Sequence, residues 1–112
     1  MPSSKLWDEV EIRSTFIKRA DRFDRELPQL RVKAKTDSNY VIYAAQHGAQ
    51  EAIYRQLSTF DCLASPNSLK LKLKEMATSG DIWSSGYDKV AFKEQWKKTL
   101  REIKAEYCAR TS

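Results

Sequence analysis

The chain has 112 residues, with 20 Lys and Arg against 15 Asp and Glu, a net charge of +5 and a pI of about 9.3. That length predicts one domain over 1–112, large enough to bury a core without metals or disulfides. Twelve aromatic residues (three Trp, five Tyr, four Phe) exclude a disordered chain, and three Gly with three Pro are too few for the many tight turns of a sandwich or barrel.

In chain order, residues 6–27 predict a first helix. Ile12, Phe16, Ala20, Phe23 and Leu27 recur at helical spacing, Val10 and Ile17 widen that face, and Pro28 is expected to end it. Residues 30–39 read as a basic connection in which Asp37, Ser38 or Asn39 caps the next helix. The second helix, over 40–60, carries only two charged side chains, Glu51 and Arg55. Its core stripe is Ile42, Ala45, Ala49, Ile53, Leu57 and Phe60. A second stripe holds Tyr43, His47, Gln50 and Tyr54, and a third side holds Val41, Ala44 and Gly48. A glycine in mid-helix costs about 1 kcal/mol against alanine, so Gly48 points to a close approach.

Ala64–Ser68 reads as a turn and cap. A short helix follows over 68–78, with Leu69, Leu73 and Met76 on one face and Gly80 as its stop. The run Leu69-Lys70-Leu71-Lys72-Leu73-Lys74 also alternates as a strand does. Residues 80–87 form a loop or small wing. A last helix over 88–109 buries Phe92, Trp96, Leu100, Ile103 and Tyr107 under a lysine-rich outer face. The fold class is therefore all-α, a compact bundle of about four helices.

Charge is uneven along the chain. Residues 1–39 carry nine basic and seven acidic side chains (+2), 40–66 one and two (−1), and 67–112 ten and six (+4). The excess in the last segment favours a polyanion. The cations expected to bear on it are Lys70, Lys72, Lys74, Lys93, Lys97, Lys98, Arg101 and Lys104, with Trp96 as a neighbouring ring. The Tyr43-His47-Gln50-Tyr54 stripe is a candidate recognition strip, since all four side chains combine apolar bodies with polar tips.

No phosphate-binding loop, dinucleotide fingerprint, HExxH or paired CxxC occurs. One histidine and two distant cysteines, Cys62 and Cys108, supply neither a metal set nor a nucleophile with its base. The expectation is a protein with no catalytic residues, metal or cofactor. Residues 1–30 hold no uninterrupted apolar run, and no membrane-length stretch exists, so the cysteines read as reduced and the protein as cytoplasmic.

Residues 50–86, with a helix, a turn at Ala64–Asn67, the segment SLKLKLKEMATSG and then DIWSSG, resemble a winged helix-turn-helix. That resemblance implies a recognition helix presenting Ser68, Lys70, Lys72 and Lys74 to DNA, with Ser84, Ser85 and Tyr87 in the wing. Phe16 to Leu57 is also similar to helical nucleotidyltransferase-associated domains of the HEPN type. The paired arginine–histidine motif of their ribonuclease members is missing around His47, so no activity is implied. The functional expectation is a nucleic-acid-associated protein, either a small DNA-binding regulator or a subunit gripping a DNA or RNA backbone in a larger nucleoprotein. The alternative is a protein-interaction module, an adaptor, inhibitor or assembly subunit bound to a protein partner or to itself, supported by the number of aromatics.

Overall fold

The computed structural model describes residues 6–59 and 63–110. It contains helices α1 (Glu9–Ala34), α2 (Ser38–Ser58), α3 (Pro66–Met76), α4 (Gly80–Trp83) and α5 (Lys89–Tyr107), and no strand among those residues. The all-α expectation holds. Phe60 and Cys62, assigned above to a helix end and to a reduced thiol, lie outside the described residues.

α1 starts where Asp8 caps it, its carboxylate accepting from the Glu11 N–H at 3.1 Å, with Glu9 and Glu11 in the first turn. The predicted stripe Ile12, Phe16, Ala20, Phe23 and Leu27 is buried. Val10 and Ile17 do not join it; Val10 is 79% exposed, because α2 covers only one side of α1. Pro28 does not end the helix either, since α1 continues to Ala34. Pro28 sits on the solvent side of the helix, where the carbonyl that loses its amide partner is within reach of water.

A three-residue link, Lys35 to Asp37, turns the chain, and Asp37 caps α2 by accepting from the Asn39 N–H at 2.9 Å. α2 returns antiparallel to α1. Arg55 reaches Asp21 at 2.8 Å, and the Arg13 guanidinium donates to the Ser58 carbonyl at 2.8 Å. Ala45, Ala49, Ile53 and Leu57 are fully buried as expected, whereas Ile42 is 38% exposed, in a shallow depression that it shares with Val90 and Ala91 of α5.

α2 is the central helix, packed between α1 and α5 and touching α4. Its third side does hold a close approach. The Tyr87 ring lies directly over Gly48, so that a Cβ there would overlap the phenol carbons. Tyr87 is held from the other side, accepting a hydrogen bond from Arg31 at 2.6 Å and stacking on Phe92 at 5.2 Å.

Residues 69–74 form a helix. Ser65 caps it through its hydroxyl to the Ser68 N–H at 3.2 Å, and Pro66 occupies the first turn, where its missing donor is harmless. Leu69, Leu73 and Met76 are buried. Gly80 opens α4 rather than serving as a stop, and the supposed wing is this single helical turn. Gly80 is buried against the Trp96 indole, whose Nε1 donates to the Met76 carbonyl at 2.8 Å. Gly86, at φ 87°, then turns the chain into α5, capped by Asp88 through the Ala91 N–H at 2.9 Å. Phe92, Trp96, Leu100, Ile103 and Tyr107 all face inward as expected. Each such burial contributes about 1.5–3 kcal/mol.

The Gly48–Tyr87 contact carries a sign test. Gly48→Ala is expected to destabilise the wild-type chain by about 1–3 kcal/mol through overpacking. In a Tyr87→Ala background the same change is expected to stabilise by about 0.5–1 kcal/mol, because only helix propensity remains. Urea titrations of the four proteins check this, and an unchanged sign refutes the contact.

Candidate functional site: a cationic cleft between α3 and α5

Helical geometry sorts the lysines of α3. At about 100° per residue, Lys70 and Lys74 share a face and Lys72 points away from it. Lys72 pairs with Glu75 at 3.4 Å on the far side of the helix. On α5, Lys97, Arg101 and Lys104 follow at spacings of four and three and share a face in the same way. The two faces meet across a cleft of about 960 Å³ whose lining includes Lys70, Lys74, Lys97, Arg101 and Lys104. No carboxylate lines it, and none of those five cations is in an ion pair among the described residues.

The floor is apolar. Leu73 and Leu100 lie at its base, nearly buried, with Ala77 beside them. Leu71, also in the lining, is 69% exposed. It is the one large hydrophobic of α3 that the core does not use.

Three of the eight expected cations lie elsewhere. Lys72 is turned away as described. Lys93 is paired with Asp81, which it holds below the usual carboxylate range through a hydrogen bond. Lys98 borders a smaller depression shared with Asp88 and Glu94. Trp96 offers no ring to a ligand, being 1% exposed. The winged helix-turn-helix assignment of Ser68, Lys70, Lys72 and Lys74 to one DNA-facing surface is therefore corrected. A strand would align the three lysines, but a helix divides them, and the wing carrying Ser84, Ser85 and Tyr87 has no strands, with Ser84 buried.

The polar stripe of α2 is also divided. Tyr54 belongs to the core, 7% exposed, between Phe16 and Phe23. Its hydroxyl accepts from Arg19 Nη1 at 3.1 Å, and Arg19 also makes a two-point contact with Glu106 at 3.0 Å and 3.0 Å. This pair, tightened by its hydrogen bonds, raises the Arg19 pKa and lowers that of Glu106, while burial raises those of Tyr54 and Tyr107. His47 packs edge-on against Phe23 at 5.3 Å, and its Nδ1 lies 3.1 Å from the Tyr43 carbonyl, which requires the proton on that nitrogen. Gln50 is half-buried, and only Tyr43 is openly exposed. His47 and Tyr54 face α1 rather than solvent because α1 runs alongside that part of α2.

One patch was not anticipated. The α1–α2 tip extends past the core and brings Lys33 Nζ over the Tyr40 ring at 5.2 Å, with Tyr43 edge-on to Tyr40 at 5.5 Å. Its signal was concealed by the expectation that Pro28 ends α1. Cys108 is half-buried, and burial pushes its thiol pKa up, away from reactivity. No cluster of three or more potential metal ligands occurs among the described residues, and no helix there is long and apolar enough to cross a membrane.

No protein-family model, curated protein or solved structure matches the chain.

The Arg19–Glu106 contact has a pH signature. A depressed carboxylate contributes stability that is present above its unfolded-state pKa and lost as pH falls through the lower folded-state value. Wild type is therefore expected to exceed Glu106→Gln at neutral pH by about 0.5–1 kcal/mol, as suits a half-exposed pair. The gap closes as the solution is acidified below the usual carboxylate range. Denaturant midpoints at several pH values measure it, and a gap independent of pH refutes the assignment.

Proposed function

We propose that this protein is a non-catalytic binding module that holds an anionic macromolecule in the α3–α5 cleft. The observation that carries the reading is the segregation of charge: five cations from two helices, none in an ion pair among the described residues, converge on one cleft that no described carboxylate lines. Elsewhere the surface mixes signs. Arg13 pairs with Glu9, Arg22 with Glu26, Arg55 with Asp21 and Glu51, and Lys93 with Asp81. Interspersed charges serve solubility, whereas a one-signed, uncompensated cluster raises the local concentration of an oppositely charged partner.

Of the expected partners, a nucleic-acid backbone satisfies this charge, and a protein partner satisfies it where its surface is acidic. The nucleic-acid form draws separate support from the α1–α2 tip. There Lys33, the half-buried Tyr40 and the exposed Tyr43 combine the positive charge and aromatic faces that single strands use. Among the described residues, His47 is engaged with Phe23 and Glu26 of α1, and burial raises the Cys108 thiol pKa, neither of which favours a catalytic role.

Retention on immobilised heparin, and titration of a labelled polyanion at several salt concentrations, test the reading. Five contacts predict a log K versus log [salt] slope of about −3.5 for a flexible polyanion. Lys97→Glu with Arg101→Glu, both at exposed positions, is expected to weaken binding at least about tenfold and to flatten the slope by about 1.4, with the fold intact. Binding that is indifferent to salt, or to this double substitution, overturns the proposal.

A further inference from the structure

The charge of the cleft leaves its occupant open, but the floor does not. Resting on the reading above, we infer that the α3–α5 cleft receives an acidic amphipathic helix of a partner protein. Three features of the cleft point to that chemistry.

The first is the apolar base. Leu73, Leu100 and Ala77 lie below the cations, and Leu71 stands exposed in the lining. A phosphate backbone would leave this surface wet or force phosphates over it. An amphipathic helix covers it with its own apolar stripe.

The second is the absence of a stacking platform. Single strands bind through aromatic faces as well as cations. Among the described residues the cleft lining contains no aromatic side chain, and the adjacent Trp96 is committed to Gly80 and the Met76 carbonyl.

The third is length. Lys97 to Lys104 spans about 10 Å of helix, and Asn67 to Ala77 about 15 Å, at 1.5 Å per residue. That accommodates two to three turns of a third helix, with apolar residues at i, i+3 or i+4, and i+7 seated on the floor. Glu or Asp on its flanks then meets Lys70 and Lys74 on one wall and Lys97, Arg101 and Lys104 on the other. The charge complementarity is two-sided, so it fixes the helix in the cleft as well as attracting it.

The test uses the full chain and four fluorescent probes: an acidic peptide of about 14 residues with leucines at the helical spacing above, a scrambled peptide of the same composition, polyglutamate, and a thymidine oligonucleotide of similar length. Anisotropy titrations at moderate salt are expected to give an affinity for the amphipathic peptide at least about tenfold above the scrambled one. Leu71→Asn, a change at an exposed site, is expected to abolish that preference while leaving the weaker binding of polyglutamate in place. The scrambled peptide binding as well as the amphipathic one, or Leu71→Asn leaving the preference intact, refutes the helix and leaves the anionic cleft standing. Tighter binding of the oligonucleotide than of any peptide refutes it too and assigns the cleft to nucleic acid. Failure of all four probes removes both the helix and the cleft reading.

Discussion

The fold depends on how closely α1, α5 and Tyr87 can approach α2. Ala45, Ala49 and Ala52 place almost no side chain between helix backbones, and Gly48 places none under the Tyr87 ring. Small residues bring neighbouring helices near, and the bulk needed to fill the core then comes from the partners: Phe16 and Phe23 from α1, Phe92 and Trp96 from α5. Size complementarity of this kind fixes which side of α2 meets which neighbour. It also explains why the least charged stretch of the chain forms the centre of the structure rather than a binding surface.

Charge is used in two distinct ways around that centre. Where helices meet, cations are satisfied. Arg19 joins α1 to α5 through Glu106 and to α2 through Tyr54, and Arg55 ties α2 back to Asp21. These contacts are partly solvated, so each adds little energy on its own. Their value is in orientation, since a two-point guanidinium–carboxylate contact fixes the rotation of one helix against another. Where α3 meets α5, Lys70, Lys74, Lys97, Arg101 and Lys104 form no ion pair among the described residues and line an apolar floor.

Periodicity made the helical class, the α1 stripe, the α5 stripe and most of the α2 stripe legible in the sequence, because burial of one face governs those residues directly. Gly48 was legible too, since the propensity it forfeits required a packing reason, although its partner Tyr87 is 39 residues away and no local pattern names it. Pro28 misled because a local preference was set against a tertiary one: the lost hydrogen bond falls on the solvent side while α2 supports the other. The cleft was half legible. All five of its cations were among the eight expected, but run composition treated Lys70, Lys72 and Lys74 as a unit that helical rotation separates. Tyr54 misled for a related reason. Its place on a polar stripe says nothing of whether α1 extends far enough to cover it.

The two walls of the cleft are not equally anchored. α5 is packed along α2, whereas α3 docks mainly on α5, between the capping turn at Ser65 and the Trp96–Met76 hydrogen bond. An element held by one neighbour opens at a lower free energy than one held by two. Amide hydrogens of α3 should therefore exchange through a local opening that leaves α1, α2 and α5 closed. One side of the cleft is a fixed rail and the other an adjustable jaw, so its width is set by how firmly α3 is seated.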